Sequence, residues 1–203
     1  MNRTYGQPGD PIWKIGESNP LGLQNELEGP LDPRHPTPHN IITAVFDPMQ
    51  RELYRGDRLR LADRSDVRNA IEDPRHMKNT GRVATEVAIL RDLLAANAPV
   101  IIFCFGQVSY EVMRIAVGEA PKKSYEDWTI KALDQEFKKR MEKFDPDRIN
   151  VVPLLHAIVT RDFLYCRKHF SGGTGNYFEY AGRALAEVLL KHKDHPRIVP
   201  IWM

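Results

Sequence analysis

The sequence predicts an α/β domain organised on a parallel sheet, and three observations lead there. Val100–Phe105 (VIIFCF) is an unbroken apolar run, entered from Pro99 and closed by Gly106; such a run suits a strand covered on both faces, as in a parallel sheet. The stretches on either side of it, from Gly81 and from Ser109, carry apolar residues at helical spacing. A second apolar run, Ile149–Leu155 (INVVPLL), follows a long amphipathic stretch, which repeats the helix–strand alternation of right-handed crossovers.

Taken in order, the elements begin with Pro11–Gly16 (PIWKIG), a short strand delivering Glu17–Gly22, whose Asn, Pro and Gly favour a loop. Gly29–His39 holds four of the 15 prolines and reads as an irregular surface loop. Ile41–Arg55 fits either a helix interrupted near Pro48 or a strand and turn. Leu59–Ala62 is a weak strand candidate, and Asp63–Asn79 is polar with no pattern that forces a structure. In the helix from Gly81, Val83, Val87, Leu90 and Leu94 share one face, and Asn97 and Pro99 end it. Gly106 breaks the central strand before a helix over Ser109–Val117. Ser124–Phe144 reads as one amphipathic helix, with Trp128, Leu133, Phe137, Met141 and Phe144 inward and Lys138, Lys139, Arg140 and Lys143 on a solvated face. Tyr177–His192 is helical by pattern, and Arg197–Trp202 is a candidate terminal strand.

At 203 residues, 42% hydrophobic and 28% charged, the chain can fill one core and is short for two, so residues 1–203 read as one domain. No stretch approaches about 18 uninterrupted apolar residues. Met1–Asp10 is polar with Gly and Pro, unlike a secretory leader. The expectation is a cytoplasmic protein that makes no use of a membrane. Cys104 and Cys166 are too few and too far apart for a metal cage or a disulfide framework. With 29 Lys+Arg against 27 Asp+Glu the net charge is only +2, so a nucleic-acid partner must be argued from local features.

In parallel α/β sheets the loops at the carboxyl ends of the strands form the site, which selects Glu17–Gly22, Gly106–Ser109 and His156–Gly175. These segments carry a resemblance. Thr85–Leu90 through Pro99–Gly106 resembles the helix–strand–glycine core of the uracil-DNA glycosylase superfamily. Gly16-Glu17-Ser18-Asn19-Pro20 is similar to its first motif. Phe163–Ser171 with Asn176 is similar to the Gly-Cys-Lys-His-Phe-Ser…Asn stretch beyond its second motif, and the three segments come in the family's order. The chain also departs from the pattern. His156 is followed by Ala157-Ile158-Val159-Thr160 where the family has His-Pro-Ser-Pro. His35-Pro36-Thr37-Pro38 spells a similar motif at the wrong place, after the first strand. The four cysteines of the iron–sulfur subfamily are absent.

The resemblance implies a three-layer α/β/α domain with a central, mostly parallel four-stranded sheet. It also implies a monomer without metal or cofactor that acts on damaged or mismatched DNA, hydrolysing the N-glycosidic bond of a flipped uracil or other deaminated base. Alignment on Asn19-Pro20 makes Asn19 the water-positioning residue, and alignment on Gly16-Glu17 makes it Glu17. His156 would hydrogen-bond the departing base. Gly16, Phe46 and Asn69 would bind the base, with Tyr54 an alternative to Phe46 as stacking wall and Asn79 an alternative to Asn69. Phe163, Leu164 or Tyr165 would form the wedge. The glycines of Ser171–Gly175 ahead of a helix make an anion nest, so Ser171, Gly172 and Thr174, beside Arg167, Lys168 and His169, would contact DNA phosphates.

Each residue also has an ordinary structural role: His156 as a strand-end residue, Asn19 as a turn former before proline, Cys104 as core. Two other functions fit the sequence. One is a member that has lost excision and only binds nucleic acid or a nucleotide, suggested by the altered His156 loop. The other is an unrelated α/β hydrolase or transferase with an anion site at Ser171–Gly175.

Overall fold

A computed structural model describes residues 12–16, 49, 51, 65–69, 77, 78, 80–122, 124–155 and 177–201. The chain divides into two compact units, Met1–Pro20 with Arg64–Leu155, and Leu21–Asp63 with His156–Met203.

The first unit contains strands β1 (Ile12–Gly16), β2 (Ser65–Asn69), β3 (Ile101–Phe105) and β4 (Asn150–Leu154), with helices α1 (Thr80–Asn97), α2 (Gln107–Ala116) and α3 (Ile130–Glu142). β3 pairs with β4 in parallel, from Ile101↔Asn150 to Phe105↔Leu154. Along its other edge β3 pairs in parallel with β1, from Ile12↔Ile101 to Ile15↔Cys104. β1 in turn pairs in parallel with β2, from Ile12↔Ser65 to Gly16↔Asn69. The α/β class and the parallel strand pairing expected from the sequence are both observed.

Every side chain of β3 is at most 4% exposed. Since successive residues point to opposite faces, both faces of this strand are covered, which is why its sequence is apolar without alternation. In β4 the N–H of Asn150 donates to Val100 O at 2.9 Å, and Leu154 O accepts from Gly106 N–H at 2.8 Å. The bonding groups of alternate residues therefore face β3. Pro153 points the other way, where its missing N–H breaks no bond to β3.

α1 packs against α2, α2 against β3 and β4, and α3 against β4. The buried face of α1 is Val87, Leu90 and Leu94; Val83, placed on the same face by its spacing, is half-buried. The expected Ser124–Phe144 helix is broken in two. Ser124 and Asp127 form a capping box on a 3₁₀ turn at Tyr125–Asp127, and the Thr129 hydroxyl accepts from Ala132 N–H at 3.3 Å to start α3. Two caps five residues apart override the apolar periodicity. Trp128 sits in the joint and is still buried, with Leu133 and Phe137.

β2 lies in the stretch 63–79 that showed no pattern, because its residues Ser-Asp-Val-Arg-Asn lack an apolar signature. In the second unit, helix α4 (Tyr177–Lys191) buries Tyr177, Ala181, Leu185 and Leu189 at helical spacing. The candidate strand Arg197–Trp202 is instead a 3₁₀ turn at Val199–Ile201, where Pro200 lacks a donor and Ile198 and Val199 both donate to His195 O. Met49 and Arg51 are helical; the rest of Ile41–Arg55, and Leu59–Ala62, lie outside the described residues. No helix among the described residues is long and apolar enough to cross a membrane.

Candidate functional site

The parallel register brings four strand ends to one edge of the first unit. Gly16, the last residue of β1, is the partner of Asn69, the last of β2. Ile15 lies opposite Cys104, and Phe105 opposite Leu154. β1 and β4 flank β3, so their backbones lie about 10 Å apart, two strand spacings. From this edge the chain continues after Gly16 into Glu17 and Asn19, and after Leu154 into Leu155 and His156.

The turn at the centre of the edge is built to be rigid. Gly106 has φ 96 and ψ 177, a combination open essentially to glycine alone, and its N–H is held by Leu154 O. The Ser109 hydroxyl donates back to Gly106 O at 3.1 Å. Val108 and Tyr110, the next inward residues of α2, are buried.

Of the residues singled out in the sequence, Gly16 and Asn69 are therefore brought together as backbone partners. Glu17, Asn19, Phe46 and His156 lie outside the described residues. So do Arg167, Lys168, His169, Ser171, Gly172 and Thr174. Among the described residues no group of three or more His, Cys, Asp or Glu is placed to hold a metal ion.

The densest polar cluster among the described residues is one the sequence reading passed over. Glu111 on α2 is only 2% exposed, and its carboxylate accepts from three sides: Arg114 Nη1 at 2.8 Å, Lys122 N–H at 2.6 Å and Trp128 Nε1 at 2.5 Å. Arg114 also donates through Nε to Glu119 at 2.9 Å. Glu119 takes both terminal nitrogens of Arg140, which reaches across from α3. Arg140 Nε and the Tyr110 hydroxyl then share Glu136 Oε1, at 2.9 and 3.2 Å. Arg114 and Lys122 lie over the Trp128 ring at 5.0 and 4.0 Å, within cation–π range. The pairs Glu111/Arg114 and Glu136/Arg140 were visible as i,i+3 and i,i+4 spacings. Glu119, which joins them, has no local signal.

The electrostatics mark this cluster as a fastener. Burial alone would raise the Glu119 carboxyl, but the hydrogen bond and charge of Arg140, with Arg114, hold it below the usual range. Glu136 is lowered in the same way, burial being outweighed by Arg140 and then Lys139. Burial would lower Arg140, yet Glu119 and its neighbours raise it. Burial raises the Tyr110 phenol. All four groups thus move away from neutral pH, the opposite of what a general acid or base needs. The cluster clamps the segment between α2 and α3, and Arg140 is drawn out of the solvated face expected for it.

No family model and no curated protein matches the chain.

Proposed function

We propose that the protein is a DNA-base glycosylase that hydrolyses the N-glycosidic bond of a flipped uracil or other deaminated base. On this reading the whole domain is three-layered α/β/α around a central sheet of four strands. It is a monomeric cytoplasmic DNA-repair protein, with DNA as its partner and no metal or cofactor. The observation that supports it is the common edge at which β1 and β4 end. The two motif-bearing loops, Gly16-Glu17-Ser18-Asn19-Pro20 and the one opening with His156, both start from that edge, on strands about 10 Å apart.

The chemistry asks little covalent work of the protein. Breaking the bond leaves positive charge on the sugar and negative charge on the departing base, and both are stabilised by fixed dipoles and charges. Glu17 or Asn19 holds the attacking water. His156 donates a hydrogen bond to the oxygen of the departing pyrimidine. Asn69 reads the base; its backbone pairing with Gly16 supports that assignment. Phe46 supplies a stacking wall, which offsets part of the few kcal/mol that flipping costs. Arg167, Lys168 and His169, with Ser171, Gly172 and Thr174, take the phosphates. The test is incubation with uracil-, hypoxanthine- and mismatch-containing oligonucleotides followed by alkali, which cleaves at each abasic site formed.

A second reading is favoured by one observation. Ala157-Ile158-Val159-Thr160 replaces the proline- and serine-bearing loop after His156, so a member that binds nucleic acid without excision is the alternative. It predicts salt-sensitive binding and no base release.

A further inference from the structure

A groove of about 630 Å³ is lined by the first half of α1 and by Pro121, Lys122 and Ser124–Glu126, ahead of α3. Its floor is apolar: Val83 and Val87 of α1, Ile115 of α2, and Met77, Pro121 and Tyr125. Val83, Ile115 and Tyr125 are half-buried and Pro121 is exposed, so this apolar surface faces solvent. The rim carries three exposed cations, Lys78, Arg91 and Lys122, against one exposed carboxylate, Glu126. Among the described residues lining the groove, the one other acid, Glu111, is already engaged by Arg114, Lys122 N–H and Trp128. Two of the cations are held in place. Arg91 Nη2 donates to Ile115 O at 3.1 Å, and Lys122 Nζ rests over Trp128 at 4.0 Å. An apolar floor under a cationic rim calls for a ligand that carries both qualities.

We infer that this groove docks an acidic peptide segment of a partner protein, two apolar side chains seated on the floor and flanking carboxylates on Lys78, Arg91 and Lys122. The pattern is that of apolar anchors with charge-set specificity, as in grooves that take peptide segments. A nucleic-acid strand would satisfy the rim but leave the apolar floor wet. The groove is independent of the glycosylase reading, because none of its residues belongs to the proposed catalytic loops.

The probe is a fluorescein-labelled 12-residue peptide with Leu and Phe anchors four residues apart among Asp and Glu, titrated with the full chain by fluorescence anisotropy. Binding in the micromolar range is expected, weakened about tenfold or more in Lys78→Glu and in Val83→Asp. It should also be lost when the two anchors are changed to Ala. Lys78 is exposed, so Lys78→Glu should leave the melting temperature unchanged, which separates a lost contact from a lost fold. The inference is overturned if the wild-type chain does not bind the peptide or if both variants bind it as wild type does. It is equally overturned if the Ala-anchor peptide binds equally, or if a 12-nucleotide oligothymidylate displaces the peptide.

Discussion

Arg140 clasps Glu119 with both terminal nitrogens, Nη1 to Oε1 at 2.6 Å and Nη2 to Oε2 at 2.7 Å. The contact spans 21 residues and ties α3 to the end of α2, while Nε of the same guanidinium holds Glu136. Only a planar fork reaches both carboxylates at once. Arg140→Ala is expected to lower stability by about 2–3 kcal/mol in urea unfolding, since it strips two partly buried carboxylates of their main partner. Arg140→Lys, with one point donor, should recover less than half of that loss.

The same pair sets a pH dependence. Glu119 and Glu136 sit below their ordinary value of 4.5 in the folded chain. The unfolded chain therefore binds protons first as pH falls, and the stability these groups contribute is fully present above pH 4.5. It disappears as pH drops through their depressed folded values. Stability curves should show an acid limb below about pH 5 that is shallower in Arg140→Ala than in wild type. An identical limb in both would remove Arg140 as its cause.

Glu111 is the anchor of the segment between α2 and α3. Glu111→Ala leaves Arg114 Nη1, the Lys122 N–H and the Trp128 indole without their acceptor, while Arg114 keeps Glu119, and a loss of about 2–4 kcal/mol is expected. Glu111→Gln keeps the shape and one acceptor oxygen, so it should cost less. Denaturant unfolding of both variants, followed by tryptophan fluorescence, reads the difference.

Two glycines hold backbone conformations that other residues rarely adopt. Gly118 has φ +90, and a Cβ there would meet nothing within 4 Å, so Gly118→Ala should cost about 1 kcal/mol from the backbone alone. Gly106, with φ 96 and ψ 177, lies in a region almost closed to other residues, so Gly106→Ala should cost about 2–3 kcal/mol. On the glycosylase reading, Gly106→Ala, which lies in the turn at the strand-end edge, should weaken base release more than Gly118→Ala does. Comparing the two variants in unfolding and in the oligonucleotide assay checks this.

What could be read from the chain follows from the range of the forces involved. β3 and β4 were legible because strands covered on both faces need unbroken apolar runs, and α1 because its apolar spacing ends at Asn97 and Pro99. β2 was not, because the polar residues of Ser65–Asn69 give no periodic signal and the strand is recognised only by pairing with β1. The break at Trp128 was signalled by Ser124 and Thr129, but the apolar spacing from Trp128 to Phe144 ran through it. Arg140 was read as solvated because its partner Glu119 lies outside its own helix. At the candidate site, the strand end at Gly16 was legible, and its pairing with Asn69 was not.

Base excision is decided by whether modified bases are released from uracil-, hypoxanthine- and mismatch-containing oligonucleotides, read as alkali-labile sites. Cleavage at a modified position is expected from the wild-type chain, with a loss of at least about 100-fold in His156→Ala and in whichever of Asn19→Ala and Glu17→Ala removes the water-positioning group, on the order of one catalytic group each. No base release at any pH, or variants at all three positions that cleave as the wild type does, would contradict it.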